Sequence, residues 1–114
     1  SGPFHTDFMK PAGDKLKDKF QKTVFREMQF PVVFNTLGRT KTSEEDISDL
    51  LVRQVQSSVY FEDSLNFMEA AGADTFIEIG PGKALTGFVK KTCKSVQTFS
   101  INRIEDLKEI EAIL

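Results

Sequence analysis

Between Phe76 and Val89 the hydrophobic pattern changes period across a glycine-rich turn, and this change limits the possible fold more than any other feature. Phe76-Ile77-Glu78-Ile79 reads as a strand, Gly80-Pro81-Gly82 as its end, and Ala84, Leu85, Phe88 and Val89 as one face of a following helix. The same alternation runs through the chain. Pro11 stands where a proline opens a helix, with Ala12, Leu16 and Phe20 at helical spacing behind it. Pro31-Val32-Val33-Phe34-Asn35 reads as a short strand, Leu37-Gly38 as a turn, and Thr42 with Glu45 as a capping box. That box opens a helix carrying Ile47, Leu50, Leu51 and Val55. Phe61, Leu65 and Met68 form the next apolar stripe, closed by Gly72 as a left-handed cap. Gln97 to Ile101 is a third strand, and Ile104, Leu107 and Ile110 line a last helix. Short apolar strands separated by helices predict an α/β fold, layered, with parallel strands and helical crossovers. Parallel sheets are usually covered on both faces, so three strands predict a sheet completed by strands from elsewhere.

Composition narrows the functional classes. With 114 residues the chain is one domain or a piece of one. Fifteen Lys plus Arg against 17 Asp plus Glu leave a net charge of −2, which gives no basis for a nucleic-acid partner. Apolar runs such as Val32-Val33-Phe34 are too short to span a bilayer, and no secretory leader is legible. A single cysteine, Cys93, excludes an internal disulfide and suits a reducing, cytoplasmic setting. Its neighbours Lys90, Lys91 and Lys94 could lower the thiol pKa, although no base is paired with it, and an ordinary packing or surface cysteine is the expected reading.

The motifs that bear chemistry are few. His5 is the only histidine, following a Gly-Pro-Phe turn just before a helix. It is a candidate general base, because only histidine titrates unperturbed near neutrality; a plain solvated residue is the competing reading. No serine of the chain lies in a Gly-x-Ser-x-Gly elbow, so no nucleophile–base pair can be written. The turn Gly80-Pro81-Gly82-Lys83 could cradle phosphate on backbone N–H groups. However, Ile77 stands where a P-loop needs its first glycine, Ala84 where it needs a hydroxyl, and Leu85 where a dinucleotide fingerprint needs its third glycine. A tight strand-to-helix turn is the expectation. Lys10, Lys15, Lys17, Lys19 and Lys22, interleaved with Asp14 and Asp18, read as a solvated face or as a docking surface for an acidic partner. No cluster has metal-ligand spacing, and neither a metal nor another cofactor is expected.

Taken together, the motifs resemble one family. Gly2-Pro3-Phe4-His5-Thr6 with Met9-Lys10-Pro11-Ala12 resembles the catalytic-histidine segment of the discrete bacterial malonyl-CoA:acyl carrier protein transacylases. Pro31-Val32-Val33-x-Asn35, Leu51-Val52-Arg53-Gln54 and Glu78-Ile79-Gly80-Pro81-Gly82-Lys83-x-Leu85-Thr86-Gly87 follow in that family's order and spacing. The likeness runs to about Asn102. Ser58 departs from it, standing where a proline usually precedes the element matched by Val59-Tyr60-Phe61.

The resemblance implies that residues 1–114 are a single partial α/β domain, similar to the C-terminal part of the family's large, α/β-hydrolase-like subdomain. The nucleophile-bearing part and a smaller ferredoxin-like subdomain would lie upstream. It implies a Ser-His acyl transfer from malonyl-CoA to the phosphopantetheine thiol of acyl carrier protein in fatty acid biosynthesis. His5 would be the acid–base, oriented by the backbone carbonyl of Gln54, and the missing part of the enzyme would be a partner. Without the serine the piece is expected to be inactive alone. In related acyltransferases a phenylalanine before the catalytic histidine accompanies malonyl selection, which makes Phe4 a candidate substrate contact; packing as an anchor for the turn is its alternative role. Two other readings stay open: a non-catalytic α/β module that binds carrier protein, and a piece of a polyketide synthase acyltransferase domain.

Overall fold

The computed structural model describes residues 2–111, apart from the side chain of Glu109. The chain forms two units, Ser1–Ser64 and Leu65–Leu114.

In the first unit a 3-10 turn, Asp7–Met9, runs into α1 (Lys10–Phe20). Pro11 lies in the first turn of α1, where the missing N–H has no intrahelical acceptor to lose. The chain then pairs β1 (Val33–Phe34) with β2 (Arg39–Thr40), antiparallel, with Phe34 opposite Arg39. This corrects the expectation of a parallel strand at 31–35. The N–H groups of Leu37 and Gly38 both donate to the Phe34 carbonyl, closing a hairpin at once. Gly38 makes the turn possible: its φ is 66°, and a Cβ there would lie 2.6 Å from Cβ of Asp63. Pro31 cannot donate to a ladder, which helps to keep the pairing short.

α2 (Ile47–Gln54) starts later than the sequence pattern predicts. The Thr42 N–H does donate to the Glu45 carboxylate, at 2.8 Å, but that bond closes a turn ahead of the helix. Arg39 clamps the same carboxylate with two bonds of 2.8 and 3.0 Å. The N-cap is Asp46, which accepts from the N–H groups of Ser48 and Asp49. Leu50 on this helix is 2% exposed, and α1 packs against α2. Full burial of a leucine contributes about 1.5–3 kcal/mol.

α3 (Phe61–Ala70) begins in the first unit and continues into the second, ending as expected at Gly72. Gly72 has φ 95°, and the Ala73 N–H reaches back to the Met68 carbonyl. β3 (Thr75–Ile79) and β4 (Gln97–Ile101) then pair in parallel, Thr75 opposite Gln97 through Ile79 opposite Ile101. α4 (Ala84–Thr92) is the crossover between them and packs on both. Thus the parallel α/β arrangement predicted from the Phe76–Val89 switch is present, built on two strands of the expected three. A 3-10 turn, Ile104–Asp106, and α5 (Leu107–Glu111) follow. Leu65, Val89, Cys93 and Ile110 are the buried apolar residues of this unit. No helix among the described residues is long and apolar enough to cross a membrane.

Candidate active site

His5 is placed by the end of a helix. Gln54 is the last residue of α2 and Val55 its C-cap, so their carbonyls are among those a helix leaves without internal partners. The main-chain N–H of His5 donates to the Val55 carbonyl at 3.0 Å, and its ring Nδ1 donates to the Gln54 carbonyl at 2.7 Å. A carbonyl can only accept, so Nδ1 carries a proton, and in the neutral ring the lone pair is on Nε2.

Holding the ring this way has a conformational cost. His5 has φ 64°, the one described non-glycine residue with a positive φ. A non-glycine residue there costs on the order of 1–3 kcal/mol. Two ordinary hydrogen bonds return about 0.5–1.5 kcal/mol each, so the pair offsets the strain with little to spare. The turn before the histidine is closed by Thr6, whose hydroxyl donates to the Pro3 carbonyl at 2.6 Å. The Met9 N–H then donates to the Thr6 carbonyl and starts the 3-10 turn.

The structure therefore brings together His5 and the Gln54 carbonyl, residues 49 apart in sequence. It adds a contact with no sequence signal, the Val55 carbonyl, because a main-chain acceptor is independent of side-chain type. Phe4 stands beside His5 and is 61% exposed. Among the described residues no hydroxyl is hydrogen-bonded to the His5 ring.

The remaining candidates separate clearly. The Gly80-Pro81-Gly82 segment is a structural turn whose donors are already engaged. The Gly80 N–H donates to the Ile101 carbonyl and the Gly82 N–H to Oδ1 of Asn102. At the start of α4 the N–H groups of Leu85 and Thr86 and the Thr86 hydroxyl all donate to the Glu78 carboxylate. A carboxylate occupying that helix terminus would repel a phosphate. Glu78 is itself held below the usual carboxylate range, first by the Thr86 hydroxyl and then by its N–H.

Cys93 is the ordinary packing cysteine expected: it is buried, and desolvation followed by the nearby Glu69 pushes its thiol up, opposite to the alternative the flanking lysines suggested. Among the described residues no three of His, Cys, Asp and Glu gather as metal ligands.

An α/β scaffold that holds a histidine by two carbonyls at the end of a helix defines the structural class. The relatives make the assignment specific. The chain is 41% identical to the malonyl CoA-acyl carrier protein transacylase of Bacillus subtilis (strain 168), over 95% of its own length and 34% of that protein's. The transacylase of Staphylococcus aureus (strain COL) is 39% identical over the same share of this chain. Among solved structures, the transacylase of Clostridium perfringens superposes with a TM-score of 0.91 at 37% identity, covering 99% of this chain and 36% of that one. A malonyl-transacylase solved in complex with a type II polyketide synthase acyl-carrier protein superposes with a TM-score of 0.90 at 33% identity, covering 100% of this chain and 37% of that one. No family profile matches the chain. The chain is thus related to the malonyl CoA-acyl carrier protein transacylases, and it spans about a third of the length of the relatives it matches.

Proposed function

We propose that this chain is the histidine-bearing part of an acyltransferase that moves malonyl from malonyl-CoA to the phosphopantetheine thiol of an acyl carrier protein. The carrier would serve fatty acid assembly, as the family likeness implies, or polyketide assembly, since one relative is described in complex with a type II polyketide synthase acyl-carrier protein. The observation that carries the reading is the 2.7 Å bond from His5 Nδ1 to the Gln54 carbonyl, which leaves Nε2 as a free base.

The chemistry runs in two halves. A serine outside this chain loses its proton to Nε2 as its oxygen attacks the malonyl thioester. The C–S bond breaks, and the CoA thiolate leaves with the proton from Nε2. The carrier thiol then gives its proton to Nε2 and attacks the acyl-serine. The serine oxygen departs and recovers that proton. A carbonyl suits the orienting role because it fixes the tautomer without adding a formal charge beside the ring.

In the full-length protein, His5→Ala should lower turnover by about 10²–10⁴-fold, the range for loss of a general base. Gln54→Ala, which keeps the carbonyl, should leave most of the activity. Mass-shift measurement of malonyl transfer to carrier protein checks both. Near-wild-type turnover of the His5 variant removes it from the mechanism.

A further inference from the structure

α1 carries a glycine that helix propensity does not recommend, since glycine forms helices worse than any residue except proline. Gly13 is the one buried residue of α1, and α1 packs against α2. A methyl group added to Gly13 would lie 3.4 Å from Cδ, Nε2 and Oε1 of Gln56 alike, so the Gln56 amide presents its flat face to the α1 backbone. A methyl would make ordinary contact at that distance, whereas a larger side chain would displace the amide. Gln56 stands directly after the two residues whose carbonyls hold His5. Its own N–H donates to the Arg53 carbonyl at 3.1 Å and closes the end of α2. Consecutive residues at one helix terminus thus hold the histidine segment at two places, Gln54 and Val55 at His5 and Gln56 at Gly13.

We infer that Gln56 is a positioning residue, whose amide, seated on Gly13, sets the direction of the Val55 and Gln54 carbonyls and through them the orientation of the His5 ring. The inference rests on the proposed function, in which that ring exchanges protons with the reacting groups. The Val55 carbonyl lies in the same planar peptide as the Gln56 N–H, so whatever fixes Gln56 aims that carbonyl. The Gln54 carbonyl is one peptide back and follows the same terminus. His5 needs the aim to be held, because its left-handed backbone consumes most of what its two hydrogen bonds return. Gln56 is half-buried, and a glycine beneath it leaves room for the close approach of a flat group. The hold is one of shape: an unbranched side chain of similar length reaches Gly13, and a shorter one does not.

The test uses the full-length protein. Gln56→Ala should lower kcat for malonyl transfer by about 10–100-fold, the scale of a small misplacement at a reacting group, with KM for malonyl-CoA nearly unchanged. Amide hydrogen exchange gives a reading independent of activity. The His5 N–H should lose up to about tenfold in protection, the worth of one ordinary hydrogen bond. The Leu50 N–H, which donates to the Asp46 carbonyl at 3.1 Å at the other end of α2, should keep its protection. Gln56→Asn, one methylene shorter, should show the same losses more weakly, and it decides the comparison where Gln56→Ala does not fold. Gln56→Met, unbranched and of similar length, should recover most of kcat. Gly13→Leu should mimic Gln56→Ala, and the two combined should restore part of what each loses. Unchanged kcat and His5 protection in the shortened variants overturn the inference, as does equal loss of protection at His5 and Leu50, which is general loosening. A raised KM with kcat intact overturns it by making Gln56 a substrate contact. Gln56→Met no better than Gln56→Ala, or losses at the two positions that simply add, overturn the seating on Gly13. If wild type transfers no malonyl, the proposed function fails, while exchange at His5 still decides the positioning role.

Discussion

His5 combines a left-handed backbone with two carbonyl acceptors, and Phe4 is the residue before it. On the proposed mechanism, a side chain adjacent to the base would border the α-carbon of the bound acyl group. The exposed Phe4 ring is free to take that position. A phenyl ring there would fill the space an α-methyl branch needs, although a pocket rejects one methyl group by only about 1–3 kcal/mol, roughly 10–200-fold. In the full-length protein, Phe4→Ser should therefore narrow the malonyl-over-methylmalonyl ratio of kcat/KM while malonyl transfer stays measurable. Competition between the two CoA esters provides the measurement. An unchanged ratio in a folded variant, or a variant that unfolds, returns the ring to a packing role.

At the scale of elements, the hairpin and α2 are tied together by Arg39, Glu45 and Thr42. The Glu45 carboxyl is held down at about 2 from an ordinary 4.5, mainly by the Arg39 guanidinium and next by the Thr42 N–H. A depressed carboxyl contributes stability that is complete above its unfolded-state pKa and is lost as pH falls through the folded one. Glu45→Gln should therefore unfold at a lower temperature than wild type at neutral pH, and the two should converge between about pH 4.5 and pH 2. Because the pair is partly exposed, high salt should shrink the gap at pH 7. Thermal scans across pH and salt check both. A gap that persists at pH 2 would assign the effect to packing instead of charge.

For the molecule as a whole, the notable quantity is apolar surface left in water. Val24, Phe8, Ile104 and Ile79 are 89%, 83%, 81% and 78% exposed. A two-stranded parallel sheet also leaves ladder groups open on its outer edges. The isolated 114-residue chain should therefore be marginally stable and associate in solution. Urea unfolding with light scattering tests this. A cooperative, monomeric transition above about 5 kcal/mol, the low end for ordinary domains, would contradict it.

Much of the architecture was legible because it depends on local rules. α1, α3, α4 and the strands at Thr75–Ile79 and Gln97–Ile101 follow from periodicity, a first-turn proline and glycine caps, all readable within a few residues. The site was legible only in part: the sequence and its family likeness singled out His5, Gln54 and Phe4, whose roles remain proposals. Local rules failed where a second partner intervened. Thr42 with Glu45 reads as a helix start, but Arg39 claims the carboxylate and Asp46 caps the helix instead. Pro31–Asn35 reads as a parallel strand, but the left-handed Gly38 folds the chain back on it. At Cys93 the expected packing role holds, and burial rather than the flanking lysines sets the direction of the thiol pKa. By itself, then, the sequence determined the helices and the parallel pair and singled out His5, since period and turn chemistry are encoded in neighbouring residues. Only the tertiary structure decided which carbonyls the His5 imidazole and main chain would meet, because Gln54 and Val55 contribute main-chain atoms that no side-chain pattern can announce.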